Sequence, residues 1–362
     1  MIGVTGTDGK TTTVNLIYWI LKTAGKKVSM LSTVNAMIGV NIVDTGLHTT
    51  TPRAWILQGL LKKAVKKGSQ FVVIEVTSHG LVQKRLLGIK FDIAVLTNIT
   101  HEHLDFHKTF MNYVRAKSIL FNNSKIAVLN KSDSSFNKIN KVVDKKVKRI
   151  FYDTETLEGK LRKVVTARFN EPYNLLNATA AIIVARELGL KDKDIIKAIK
   201  TFPGVEGRMQ EIKNNKGLKI IVDFAHTPNA LEQVLLTLRK SRKGNSRIIC
   251  VFGCAGERDV LKRPMMGGIS ARLADVSIFT AEDPRHEKVK DIVGEMMKGV
   301  KNKKAKIYTI EDRRKAIDFA INKAALKGDT VIICGKGHEK SMAYGDKEIP
   351  WSDIKIARRY AE

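Results

Sequence analysis

Apolar positions along the chain fall into two alternating patterns. Short continuous runs of strand length occur at Ile2 to Val4, Phe71 to Val76, Ile93 to Thr97 and Ile126 to Leu129. Between them lie stretches of helical period, the first from Thr11 to Ala24. Runs without a polar face argue for strands covered on both sides, so this half predicts a mostly parallel sheet between helix layers. Ser132 to about Lys163 is polar and Lys-rich and reads as a peripheral excursion. Helical periods return at Leu175 to Leu188 and Asp192 to Thr201, and Phe202-Pro203-Gly204 breaks them. A boundary near Val205 to Ile212 divides the chain into domains over 1–205 and 206–362. The second half repeats the alternation, with strands at Lys219 to Asp223, Ile248 to Gly253, Val276 to Phe279 and Thr330 to Cys334, and a helix at Asn229 to Arg239. Its strands end in Gly-rich or acidic loops, the edge where α/β sheets collect ligands.

Length and composition agree with two domains. The chain has 362 residues, 43% of them hydrophobic, enough for sizeable cores. No apolar run approaches the ~20 residues of a membrane span, and the N-terminus lacks the features of a secretion signal. Three cysteines are too few for a disulfide framework, which fits a reducing cytoplasm. Lys and Arg number 64 against 36 Asp and Glu, so 64 − 36 = +28. That field suits anionic partners, or it is a Lys-rich bias spread over solvated helix faces. The excess lies in short dispersed runs without interleaved aromatics, so nucleic acid is not expected as a partner.

The first candidate site is Gly6-Thr7-Asp8-Gly9-Lys10-Thr11, between a strand and a helix. Glycines let backbone N–H groups approach phosphates, and a helix N-terminus favours their charge. Lys10 can reach terminal phosphates and the Thr11 hydroxyl can hold Mg²⁺. The glycine that the commoner, longer loop carries is here Val4. With this loop, the fold class expected is α/β: a P-loop-type ATP-binding domain with a mostly parallel sheet, then a smaller Rossmann-like α/β domain.

Three further segments offer metal ligands. Glu75 ends an apolar strand, and a carboxylate there suits Mg²⁺, which prefers oxygen. Thr97 to Asp105 includes His101 and His103, which lack the companion pair that zinc needs. Lys117, taken alone, reads as a solvated helix lysine, His79 and His107 as structural, and Cys250 and Cys254 as buried thiols.

These motifs, with Thr50-Thr51-Pro52, Glu75 to His79, Ala116-Lys117, Asn174 to Asn177, Gly207 to Met209, Asp223 to Pro228, Gly256 to Asp259, Asp283 to Arg285 and Gly335 to Glu339, resemble the Mur ligases. These are ATP-dependent amide-bond enzymes of cell-wall precursor synthesis, and the resemblance runs from Gly6 to about Ala357, strongest to the tripeptide-forming branch. It implies that Gly6, Thr7, Asp8, Gly9, Lys10, Thr11 and Thr12 hold ATP, and that Thr11, Glu75, His103 and a carbamylated Lys117 hold two Mg²⁺ ions. Asn174 matches the adenine-contacting position, and Arg208 and Asp223 match residues reaching the γ-phosphate and ribose. Lys10, Lys117 and Arg208 match catalytic positions. Thr50, Thr51, Thr77 and Arg85 match the acceptor-peptide site, and Arg258, Asp283, Arg285, Gly335 and Glu339 the pocket for the incoming amino acid.

The implied reaction adds a diamino acid to a UDP-N-acetylmuramoyl dipeptide through an acyl phosphate. Arg285 suits the distal carboxylate of diaminopimelate and would repel the ammonium of lysine. Diaminopimelate-adding relatives usually read Asp-Asn-Pro-Arg where this chain has Glu282-Asp283-Pro284-Arg285. The separate UDP-holding domain that usually precedes the phosphate loop has no counterpart ahead of Gly6, which leaves a truncated product, a partner supplying that domain, or another mode of acceptor binding. A lysine-adding ligase, a folylpolyglutamate-type ligase and a non-catalytic nucleotide-binding subunit are the alternatives. Retention of Glu75, His103 and Lys117 speaks against the last.

Overall fold

The computed structural model describes residues 1–39, 41–43, 50–100, 102–169, 171–242, 244–302 and 306–362. It divides into two compact units, Met1–Pro203 and Gly204–Glu362.

The first unit is built on eight strands: β1 (Ile2–Thr5), β2 (Val28–Leu31), β3 (Ala36–Ile38), β4 (Asn41–Val43), β5 (Phe71–Glu75), β6 (Phe91–Leu96), β7 (Ser124–Asn130) and β8 (Lys148–Tyr152). Their order is β4-β3-β2-β5-β1-β6-β7-β8. Six run parallel, and β3 and β4 add an antiparallel edge. The central strands are buried over most of their length because their apolar runs meet helices on both faces. One apolar cluster joins Ile74, Leu96, Tyr113 and Leu129.

Register carries the functional consequence. Val4 of β1 stands beside Glu75 of β5 on one side, and Thr5 beside Leu96 of β6 on the other. The loop after β1, the last residue of β5 and the loop after β6 therefore meet at one carboxyl edge.

The segment from Ser132 to Lys163 is not a peripheral excursion. It contains helix Phe136–Val142, sheet strand β8 and the start of helix Gly159–Arg168. β8 is an edge strand in which only Tyr152 is fully buried; it opens on Lys148 and Arg149, which leaves an apolar run of just three residues.

The second unit holds β9 (Gln210–Ile212), β10 (Lys219–Asp223), β11 (Ile248–Phe252), β12 (Val276–Phe279), β13 (Lys306–Thr309) and β14 (Thr330–Cys334) in the order β13-β12-β11-β14-β10-β9. All pair in parallel except β9. Beyond them lies a hairpin of β15 (Ser341–Tyr344) and β16 (Lys347–Pro350). Both units match the α/β expectation. No described helix is long and apolar enough to cross a membrane.

Candidate active site

The phosphate loop leaves β1 at Gly6 and enters helix Lys10–Thr23. Gly9 caps that helix at φ 82°, a left-handed conformation that favours glycine, and a Cβ there would collide with the Asn177 amide. No side chain caps the helix N-terminus at Gly9.

Neighbouring strand ends hold the loop open. Thr7 N–H donates to Asn98 O at 2.8 Å, and Asp8 N–H to Asn98 Oδ1 at 2.9 Å. Thr97 Oγ1 donates to Asp8 O at 2.6 Å. Lys10 Nζ donates to Thr7 O at 2.7 Å, folding the ammonium back over the loop. Thr12 is half-buried on the first helical turn.

Glu75 is buried, and Thr11 Oγ1 donates to its Oε2 at 3.0 Å while Thr33 N–H donates to the same oxygen at 2.9 Å. This carboxylate and hydroxyl, both oxygen donors beside a helix N-terminus, fit a hard cation such as Mg²⁺.

The residues expected to hold the acceptor adjoin this pair. Thr51 Oγ1 donates to Glu75 O at 3.1 Å and accepts from Thr77 N–H at 3.0 Å. Thr77 Oγ1 lies 3.1 Å from Thr51 Oγ1, Arg85 Nη1 donates to Thr51 O at 2.6 Å, and Thr33 Oγ1 donates to Thr50 Oγ1 at 3.0 Å. These hydroxyls and the Arg85 guanidinium form one hydrogen-bonded group, joined to Glu75 through Thr51 and Thr33.

Lys117 is not a solvated lysine. Its side chain is 1% exposed, donates to Gly6 O at 2.7 Å and sits over the Tyr113 ring at 4.4 Å. Burial, and then the positive charge of Lys10, pull its pKa well below the ordinary lysine value, against the opposing pull of Glu102 and Asp8. The position suits a reactive neutral amine.

His103 adopts φ 55° after the β6 loop, and its ring meets His79 edge-on at a centroid distance of 4.7 Å and Tyr113 at 6.3 Å. His107 bonds Ser78 Oγ at 2.9 Å, consistent with a structural role. His101 lies outside the described residues.

Asn174 Oδ1 accepts from Asn177 Nδ2 at 3.3 Å, and Thr13 Oγ1 donates to Asn177 Oδ1 at 3.4 Å. The Asn174 position is thereby joined to the first turn after the phosphate loop.

Sequence reasoning passed over three residues here. Tyr113 OH pairs with Thr7 Oγ1 at 3.2 Å and shields Lys117, from four positions earlier on the same helix face. That i, i+4 spacing was a readable signal. Thr33 offered none, because its partner is remote in sequence, and Asn98 stood inside the Thr97 to Asp105 segment without a role of its own being read from it.

In the second unit, Arg208 lays its guanidinium on the Phe224 ring at 4.3 Å. Asp223, ending β10, accepts Met209 N–H at 2.7 Å and Ala225 N–H at 2.8 Å. The loops after β11, β12 and β14 gather the remaining positions. Gly256 N–H donates to Asp283 O at 3.0 Å, and Arg285 Nη1 donates to Gly256 O. Asp283 Oδ1 accepts from Lys336 Nζ at 2.7 Å and Ala343 N–H at 2.9 Å, and Lys336 Nζ lies 2.6 Å from Glu339 Oε2. Gly335 takes φ 109°, and a Cβ there would collide with the Glu282 carboxylate. Arg258 is exposed and makes no hydrogen bond or ion pair among the described residues. Cys250 and Cys254 are buried free thiols.

Residues 4–177 match the Mur ligase middle domain, and residues 207–337 the Mur ligase, glutamate ligase domain. The chain belongs to the Mur ligase family. It is 38% identical to the UDP-N-acetylmuramoyl-L-alanyl-D-glutamate--2,6-diaminopimelate ligase of Clostridium botulinum, across 98% of this chain and 76% of that protein. A solved structure of an enzyme of that name matches at TM-score 0.61 and 30% identity, covering 99% of this chain and 77% of the other. A pseudomurein peptide ligase type C from Methanothermus fervidus shares the fold at TM-score 0.70 and 20% identity, over 99% of this chain and 77% of that one. This Mur ligase therefore spans about three-quarters of the length of such relatives.

Proposed function

We propose that this Mur ligase joins meso-diaminopimelate to UDP-N-acetylmuramoyl-L-alanyl-D-glutamate with hydrolysis of ATP to ADP and phosphate, in peptidoglycan precursor synthesis. The observation that carries the reading is 38% identity over 98% of the chain to an enzyme so named, with Arg285 present in the amino-acid loop.

The steps follow from ordinary acyl chemistry. A carboxylate is a poor electrophile. Thr50, Thr51, Thr77 and Arg85 hold the acceptor's carboxylate so that one oxygen attacks the γ-phosphorus of ATP. An acyl O–P bond forms, the bridging P–O bond breaks, and ADP leaves. Lys10 and the backbone N–H groups of the phosphate loop bind the phosphates, and Arg208 is assigned to the same charge. Thr11, Glu75, His103 and the Lys117 carbamate would hold Mg²⁺, which would supply neutralising charge to the transferring phosphoryl group. The incoming amine then attacks the acyl carbon, phosphate leaves, and the amine gives up a proton. Asn174 and Asp223 are assigned to the adenosine.

Lys117 is assigned as a carbamate. The ammonium first gives up a proton; its neutral Nζ then adds CO₂, an N–C bond forms and a second proton is released, so a cation becomes an anion. Its burial and depressed basicity support this, since only the neutral amine adds CO₂.

An assay of ADP release tests the reading. Turnover with the muramoyl dipeptide should require diaminopimelate and exceed that with lysine. No dependence on the added amino acid would reject it.

A further inference from the structure

Lys336 lies on the loop after β14, one of the two loops that carry the proposed amino-acid pocket, and its side chain is 0% exposed. An ammonium taken wholly out of water is strongly unfavourable unless it is paired. Here it is paired twice, with Asp283 Oδ1 at 2.7 Å and Glu339 Oε2 at 2.6 Å. Asp283 comes from the loop after β12 and Glu339 from the loop after β14, so one cation ties two strand ends together. Ala343 N–H completes the clamp by donating to the same Asp283 oxygen at 2.9 Å, and Arg285 N–H returns a bond to Ala343 O at 3.1 Å.

The charges can be counted. Among Asp283, Glu339, Lys336 and Arg285, two carboxylates and two cations sum to zero; the further pocket cation, Arg258, is exposed and its charge is screened by water. A neutral site matches the distal end of diaminopimelate, which carries one ammonium and one carboxylate. It offers no net attraction to the lone ammonium of lysine. The Asp283 anion, standing where diaminopimelate-adding relatives usually have an amide, thus has an internal counter-charge.

We propose that Lys336 is a positioning and specificity-determining residue: by neutralising one of the Asp283 and Glu339 carboxylates, it sets the pocket's net charge and hence its preference for a zwitterionic side chain over a cationic one. This rests on the assignment of these loops to the amino-acid pocket made above. One uncompensated charge about 6–12 Å from a ligand charge, at an effective dielectric near ~20, corresponds to a roughly ten- to hundredfold preference.

The test uses the full chain, ATP and the muramoyl dipeptide, and measures kcat/KM for diaminopimelate and for lysine separately, with KM for ATP as a control. Lys336→Met should raise the lysine-to-diaminopimelate ratio of kcat/KM roughly ten- to hundredfold while KM for ATP stays within about threefold. Lys336→Met combined with Asp283→Asn restores the charge sum and should return the ratio to within a few-fold of the unsubstituted chain. Asp283→Asn alone makes the pocket more positive and should lower the ratio, which keeps the proposal testable if Lys336→Met does not fold. Equal losses for both amino acids, with no movement of the ratio in any variant, would overturn the role of Lys336 and leave the pocket assignment standing. If the unsubstituted chain turns over without regard to either amino acid, the pocket assignment fails and the proposal falls with it.

Discussion

Thr11 and Glu75 meet at the carboxyl edge of the first sheet, the threonine hydroxyl donating to Oε2 at 3.0 Å and lying 3.2 Å from Oε1. One residue opens the helix after the phosphate loop and the other closes the neighbouring strand. Their contact follows from the pairing of Val4 with Glu75.

Glu75→Gln keeps the shape of that site and removes its charge. We expect ADP release to fall by at least ~100-fold, as for loss of an electrostatic stabiliser. The Mg²⁺ concentration for half-maximal activity should rise, and thermal unfolding should move little. A variant with unaltered Mg²⁺ dependence would remove Glu75 from the metal site.

Lys117→Ala tests the carbamate. Activity should drop steeply and recover in part when short carboxylic acids are added, because they can occupy the space of the lost anion. Intact mass spectrometry under CO₂ should find the unsubstituted chain heavier by one CO₂, and the variant not. An unchanged rate would mean that Lys117 serves only to hold Gly6 O.

Arg313 and Asp353 form a wholly buried pair, with Nε to Oδ1 at 2.9 Å and Nη2 to Oδ2 at 2.6 Å. The same guanidinium bonds Ala281 O at 3.1 Å and Cys334 O at 2.7 Å, one residue before Glu282 and one before Gly335. Asp353→Asn leaves that charge uncompensated and should destabilise the second unit by about 3–5 kcal/mol in chemical denaturation. A change below about 1 kcal/mol would contradict this.

Burial pushes the Glu282 carboxyl up to about 7, with Lys262 and Arg313 opposing and Asp283 reinforcing the shift. In an unfolded chain a glutamate titrates near ~4.3. Between those values the folded state retains a proton that the unfolded state has released, so this group's contribution to stability is lost as pH rises through that window. Glu282→Gln should therefore gain stability relative to the unsubstituted chain by about 1–3 kcal/mol more at pH ~8 than at pH ~5. A difference independent of pH would show that Glu282 titrates normally.

Much of this was legible in the sequence where chemistry is contiguous. Gly6 to Thr11 combines glycines, a lysine and a hydroxyl between a strand and a helix, and the apolar runs of β1, β5, β6 and β7 admit few other foldings. What escaped is set by tertiary contact. Lys117 reads as solvated until the Tyr113 ring and the Gly6 carbonyl enclose it. Thr33 reaches Glu75 only because β2 pairs beside β5. Strands β4 and β8 are the sheet edges, and β3 inside β4 is only three residues long, so their apolar signal is weak. The pairing of Lys336 with Asp283 joins loops more than fifty residues apart, which no local pattern announces.

The most direct measurement follows an oxygen atom. With the acceptor's reacting carboxylate enriched in heavy oxygen, and ATP and diaminopimelate supplied, the acyl-phosphate route predicts one labelled oxygen in the phosphate released for each amide formed. Phosphate free of label, with amide still accumulating, would contradict it.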